Sequence, residues 1–183
     1  AIGDEWLFGN GCMFSAGVCN VYRICIVVRV CMKETTLCYI EQDGCYLMLY
    51  RNRKENDCNE GKWIGVGGKI KVGESPDECV IREVKEETGL DLISFKKRGI
   101  INFQSDEWED EIMHLYTADA VSGELTRDCN EGELHYIPLS EIMSLNLWEG
   151  DRIFLKKLID GESDIYLSLQ YKGDVLVNVI HKV

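Results

Sequence analysis

The sequence predicts a mixed α+β fold, an α/β sandwich, on three observations. Runs with the two-residue alternation of strands outnumber runs with the 3.6-residue period of helices. Turn dipeptides join neighbouring strand runs into hairpins. One sharply bounded helix, dense in carboxylates, stands between a Gly-rich segment and the later strands.

The 183 residues suit one well-buried core rather than two, and 45% apolar with 28% charged residues is an ordinary globular composition. A net charge of −12 argues against a nucleic-acid polymer as partner, because phosphate neutralisation needs a Lys/Arg surface. A small polyphosphate remains compatible if divalent cations lie between it and the carboxylates. The nine cysteines are odd in number, form no C-x-x-C pair and stand at no zinc-ligand spacing to the three histidines. They read as reduced thiols. No run approaches the roughly 20 apolar residues of a membrane span. Asp4 and Glu5 carry the wrong charge for the start of a signal peptide. A soluble, cytoplasmic protein, monomer or homodimer, is expected.

Residues 1–31 hold four cysteines and show no clear period, and they read as an accessory or spurious extension, ordered or disordered. The functional domain is expected to span 32–183. Thr35–Ile40 and Cys45–Arg51 read as strands joined through Gln42-Asp43-Gly44, a strong hairpin signal. The polar stretch 52–62 reads as a loop. Ser75 suits an N-cap, Pro76 the first helical position, Glu78 completes a capping box and Gly89 follows the last turn. A helix over Pro76–Thr88 is therefore expected. Phe95–Gln104 and Ile112–Val121 read as strands about an acidic turn, and Glu133–Ile137 as a short strand. Leu139–Leu145 and Glu149–Ile159 read as helices, the second with Ile153, Phe154, Leu158 and Ile159 inward. Ile165–Tyr171 and Val175–Ile180 form a closing hairpin about Lys172-Gly173-Asp174.

Glu83, Glu86 and Glu87 stand at i, i+3 and i+4 on one helical face, where like charges repel unless a cation lies among them. Oxygen-only ligands favour Mg²⁺ or Mn²⁺ over zinc or copper. On the helix alone, a solvated acidic face explains the pattern equally well. Gly65, Gly67 and Gly68 precede it, so backbone can approach an ion or phosphate closely. The full spacing is G-x5-E-x7-R-E-U-x-E-E-x-G-U, with U aliphatic. Gly68, Glu74, Arg82, Glu83, Val84, Glu86, Glu87, Gly89 and Leu90 fill every fixed position.

This stretch resembles the Nudix box without departure. The resemblance implies a Nudix α/β/α sandwich with a mixed sheet, and Mg²⁺-dependent hydrolysis of a nucleoside diphosphate linked to a further moiety. It assigns metal and base roles to Glu83, Glu86 and Glu87, a metal-ligand role to the Gly67 carbonyl, and a loop-to-helix tie to Glu74 and Arg82. A further outer ligand is implied near a late strand, where Glu131 ranks ahead of Glu133. The segments GKWIGVGGKI and LWEGD resemble MutT-type purine-triphosphate hydrolases of the family. That likeness implies an oxidised purine triphosphate such as 8-oxo-dGTP as substrate, with Trp148, Asp151, Lys69 and Ile64 at the substrate. The alternative for Trp148 is core packing, and for Asp151 a first-turn charge at the helix dipole. Vertebrate members carry Asn where this chain has Ile64 and an Asp pair where it has Gly150-Asp151. Ile64 offers no hydrogen bond to a base and forms, with Trp63 and Phe103, an apolar wall. The competing expectations are another substrate, such as ADP-ribose, a dinucleoside polyphosphate or an undamaged triphosphate, and a nucleotide-sensing domain without catalysis.

Overall fold

A computed structural model describes residues 32–54, 57–126 and 129–182. The expected extension 1–31 lies outside the described residues, and every strand and helix described belongs to the compact unit Cys31–Val183.

The strands are β1 (Lys33–Gln42), β2 (Cys45–Arg51), β3 (Trp63–Ile64), β4 (Asp91–Ser105), β5 (Glu111–Ser122), β6 (Gly132–Pro138), β7 (Ile165–Lys172) and β8 (Val175–His181); the helices are α1 (Pro76–Thr88) and α2 (Glu149–Ile159). All eight strands form one mixed sheet, ordered β3-β2-β1-β5-β4-β7-β8, with β6 along the other side of β2. β1 runs parallel to β5 and β4 parallel to β7, while the other pairings are antiparallel. The β1–β2 turn is the expected Asp43-Gly44, both at positive φ.

Strand alternation sends side chains to two cores. Leu37 and Tyr39 join Leu115, Leu167 and Leu169 under Phe154, Leu155 and Leu158 of α2. Their neighbours Cys38 and Ile40 face the other way, with Tyr116 and Ala118, onto Val80 and Val84 of α1. The sheet is thus buried on both sides between helices, as the mixed α/β/α expectation requires. Each buried Leu, Ile, Val or Phe among them contributes about 1.5–3 kcal/mol of burial. Among the described residues, no helix is long and apolar enough to cross a membrane, and Cys38, Cys45, Cys58, Cys79 and Cys129 are free thiols.

Two elements differ from expectation. β4 starts at Asp91, directly after α1, because its first residues pair with β5 through bulges and stay half-exposed, without an apolar alternation to read. Leu139–Leu145 is not an α-helix; only Ile142–Ser144 turn, as a 3₁₀ helix. Arg152 donates to the carbonyls of Met143 and Leu145 (2.6 Å to the latter), so a side chain satisfies acceptors that a continuing helix would use. Leu155, not foreseen as inward, is fully buried.

Candidate active site

The site begins where β1 and β2 splay apart. Residues 63–69 fill the gap: Trp63 and Ile64 pair with β2, Val66 exchanges backbone hydrogen bonds with Cys38 of β1, and the Gly68 carbonyl accepts the Thr36 N–H. The approach is close enough to demand glycine. A Cβ on Gly67 would lie 2.0 Å from the Thr36 carbonyl oxygen, and one on Gly68 would lie 2.6 Å from the carboxyl carbon of Glu83. Since Val66 and Gly68 bond towards β1, alternation turns the peptide groups of Gly67 to the opposite side. Its N–H donates to Glu87 Oε2 at 3.0 Å.

Helix α1 then presents its carboxylates at graded depth. Its N-terminus carries the full capping box between Ser75 and Glu78, and Gly89 closes it at φ 76° with its N–H on the Lys85 carbonyl. Glu87 is buried behind Gly67, and burial pushes its carboxyl up to about 7, reinforced by Glu83 and opposed by the Gly67 N–H, Arg51 and Lys54. The Glu83 side chain is 15% exposed and bonds Arg82 Nη1 at 2.6 Å, while that of Glu86 is 55% exposed and lies 3.1 Å from the same nitrogen. Arg82 also forks onto Glu74, Nε to Oε1 at 2.6 Å and Nη2 to Oε2 at 2.8 Å, and donates to the Lys69 carbonyl at 3.2 Å. That bidentate pair joins the segment before the helix to its middle turn. It also holds the Glu74 carboxyl down at about 2.

A cleft of about 380 Å³ opens beside these groups. Gly67, Gly68, Lys69 and Glu83 line its polar end with Arg51 and Glu131. Glu131 pairs with both Arg51 and Lys54, and Arg51 is tied in turn to Asp57 at 2.7 Å. Glu133 does not line the cleft; it bonds Asn52 and His135 at the surface. Ile64, Phe103, Trp148, Asp151 and Tyr171 line the other end. There Phe103 and Tyr171 rings lie 5.1 Å apart, and Trp148 meets Tyr171 edge-on at 5.6 Å. Trp148 is fixed from behind, its indole N–H donating to Asn59 Oδ1 at 2.9 Å and Lys62 Nζ lying 4.7 Å from its ring centre.

Asp151 is buried at the start of α2, and burial pushes its carboxyl up to about 7, with Glu111 adding and Lys62 opposing. The preceding Gly150 has a steric reason. A Cβ there would lie 2.5 Å from Leu169 Cδ1 and 2.8 Å from the Tyr171 hydroxyl, which accepts the Gly150 N–H at 2.7 Å. An Asp at that position would require the ends of the Leu169 and Tyr171 side chains to shift.

The fold therefore gathers Gly67, Gly68, Lys69, Glu83, Glu131, Ile64, Trp148 and Asp151 around one cleft, with Glu87 directly behind it and Glu86 outside on the helix. Sequence reasoning missed Arg51, Lys54, Asn59 and Tyr171. Arg51 ends a strand, and Lys54 and Asn59 sit in a polar loop where charge reads as solvation. Only the long-range pairing of β2 with β6 brings Arg51 to Glu131.

The donor set suits a hard divalent cation: three helix carboxylates, a fourth from the β6 approach and a peptide carbonyl, with no sulfur or imidazole. As they stand, these carboxylates are turned to internal partners, and no three acidic, thiol or imidazole groups converge in ligating geometry among the described residues. An ion held at Glu83 or Glu131 would compete with Arg82, Arg51 and Lys54 for the carboxylate oxygens they bond.

The NUDIX domain family matches residues 33–158. An uncharacterised Nudix hydrolase, YvcI of Bacillus subtilis, is 29% identical over 76% of this chain and 87% of its own length. The oxidized purine nucleoside triphosphate hydrolase of Danio rerio is 30% identical over 69% of this chain and 80% of its own. Among solved structures, the MutT protein of Bacillus halodurans superposes with a TM-score of 0.75 at 26% identity, covering 82% of this chain and 98% of that one. With the box complete and folded around one cleft, this chain belongs to the Nudix family as a MutT-like pyrophosphohydrolase.

Proposed function

We propose that the enzyme hydrolyses oxidised purine nucleoside triphosphates, such as 8-oxo-dGTP, to the monophosphate and pyrophosphate with Mg²⁺, Mn²⁺ substituting, and that it does so on the cytoplasmic nucleotide pool. The observation that carries this reading is the division of the cleft: carboxylates at one end, and at the other an aromatic wall that ends on a buried carboxyl. Nudix hydrolases as a family use divalent metal ions; here Glu83, Glu86 and Glu87, with Glu131 and the Gly67 carbonyl, would hold them. A bound Mg²⁺ neutralises phosphate charge and acidifies water at the phosphorus. One of the three helix carboxylates takes the proton of the attacking water, a contribution of about 10²–10⁴ in rate. Lys69, beside the carboxylates, faces the phosphates.

At the apolar end, Trp148 supplies a stacking face, and Ile64 with Phe103 an apolar wall. Discrimination of the base then falls to Asp151. A carboxyl held near 7 is available as donor or acceptor to a purine edge near neutral pH. The Danio rerio relative, named an oxidized purine nucleoside triphosphate hydrolase, supports a purine triphosphate.

The test is pyrophosphate release with Mg²⁺ for 8-oxo-dGTP, dGTP, dATP and ADP-ribose at matched concentrations. A preference for 8-oxo-dGTP that Asp151→Ala abolishes is expected. Even turnover of all triphosphates, or a preference for ADP-ribose, leaves a Nudix hydrolase of another substrate.

A further inference from the structure

The cleft holds one more carboxylate, to which neither the metal nor the stacking wall gives a task. Glu111 opens β5, on the face of the sheet that carries Met113 and Leu115 into the core beneath α2. Register sets it between Lys33 of β1 and Phe103 of β4, in one row across the sheet. Its side chain is 19% exposed and lines the cleft with Phe103, Trp148 and Asp151. Lys33 Nζ donates to its Oε2 at 2.9 Å, and the Thr35 hydroxyl donates to its Oε1. A carboxylate oxygen has two lone pairs, so among the described residues each oxygen keeps one without a donor.

Asp151 supplies the complementary group. It is 8% exposed, lines the same cleft, and its carboxyl makes no hydrogen bond among the described residues. A buried polar group left unpaired costs about 1–3 kcal/mol, which a base edge bonded there would offset. Glu111 lies near enough to help raise the Asp151 carboxyl to about 7, so its protonated form is populated at neutral pH.

We propose that Glu111 is a specificity-determining residue that accepts two N–H groups of the base and so selects a 2-amino-6-oxopurine, guanine or its 8-oxo form. This role rests on the reading of the cleft as a purine-nucleotide site. Guanine presents N1–H and a 2-amino N–H side by side, matching the two free lone pairs of Glu111. Its O6 adjoins them and matches the O–H of a protonated Asp151. Hypoxanthine keeps O6 and N1–H but lacks the amino group. Adenine sets an amino N–H beside the N1 lone pair, which would face a carboxylate oxygen. On the other side of O6 lies N7, which carries a proton only in the 8-oxo base, so oxidation is left to Asp151.

The test is equilibrium binding of dGMP, dIMP and dAMP, and of 8-oxo-dGMP against 8-oxo-dIMP, to the full chain by titration calorimetry. Hydrolysis of dGTP and dITP is followed beside it. The guanine member of each pair should bind at least about tenfold tighter than the hypoxanthine member. Glu111→Gln and Glu111→Met should each bring that ratio to within about twofold. A ratio taken within one protein cancels any loss of folded chain, and circular dichroism checks that each variant is folded. A Glu111 that only ties β1 to β5 would weaken both ligands alike and leave the ratio intact, which overturns the inference. Equal binding of dGMP and dIMP by wild type overturns it as well, as does tighter binding of dAMP or no binding of any of the five. A Glu111-dependent ratio without triphosphate hydrolysis would overturn the proposed reaction and leave the base recognition standing.

Discussion

Asp151 is the residue on which pH should act most legibly. Its native carboxyl sits at about 7 because burial opposes the charged form, whereas an unfolded Asp titrates at about 3.9. Across that interval the native state binds the extra proton. Its contribution to stability is full below the unfolded value and is lost as pH rises through the native one. The loss is on the order of a few kcal/mol. Thermal melting should therefore show wild type losing stability between about pH 4 and about pH 7, and Asp151→Asn losing less of it. Identical slopes in the two proteins would mean that the Asp151 carboxyl is solvated in the native state. Glu87, raised to about 7 by the same cause, leaves part of the slope in the variant. Neither shift is legible in the sequence. The spacing places Glu87 on the acidic face and Asp151 in a first turn, but depth depends on what the sheet brings over each. For Glu87 that is Gly67, twenty residues earlier; for Asp151 it is the approach of β7 to α2.

Helix α1 shows why some elements are readable and others are not. Its start, end and polar face are all set by residues within it or adjoining it, from Ser75 and Pro76 to Gly89, and its observed bounds coincide with the expected ones. The Leu139–Leu145 stretch carries an apolar period of similar quality, yet its last carbonyls are taken by Arg152 from the next helix, a competitor absent from any local window. Local closure makes a testable difference. Ser75→Ala removes the side-chain acceptor for the Glu78 N–H (3.2 Å) and should cost about 1 kcal/mol. That corresponds to about 2–4 °C in Tm for a chain of this size. Turnover at lower temperature should persist, because the Glu74–Arg82 pair holds the segment before the helix independently of the cap. A Tm unchanged by the substitution would show that packing of Val80 and Val84 alone holds the first turn.

For the whole molecule, the surplus of acidic residues and the carboxylate cleft pose one electrostatic question: whether a divalent ion is bound or merely attracted. A diffuse countercharge would stabilise a −12 chain through screening and would do so equally for Na⁺ at matched ionic strength. A site shared by Glu83, Glu86, Glu87 and Glu131 binds the native state only and stabilises it by mass action, about 2.7 kcal/mol at a hundredfold excess over Kd. That is roughly 5–10 °C in Tm for a chain of this length. Saturating Mg²⁺ should therefore raise the melting temperature well beyond an equal ionic strength of NaCl. Glu83→Gln with Glu131→Gln should remove that excess and leave the shift in NaCl intact. At such a site the pairs Glu83–Arg82 and Glu131–Arg51 would add a cost to binding, since an ion would compete with each guanidinium for its carboxylate. Arg51→Met should lower that cost at Glu131, so the Mg²⁺ concentration at half-maximal shift should fall. A half-maximum unchanged by Arg51→Met would show that Glu131 stays with its cation and that the helix carboxylates bind the ion without it.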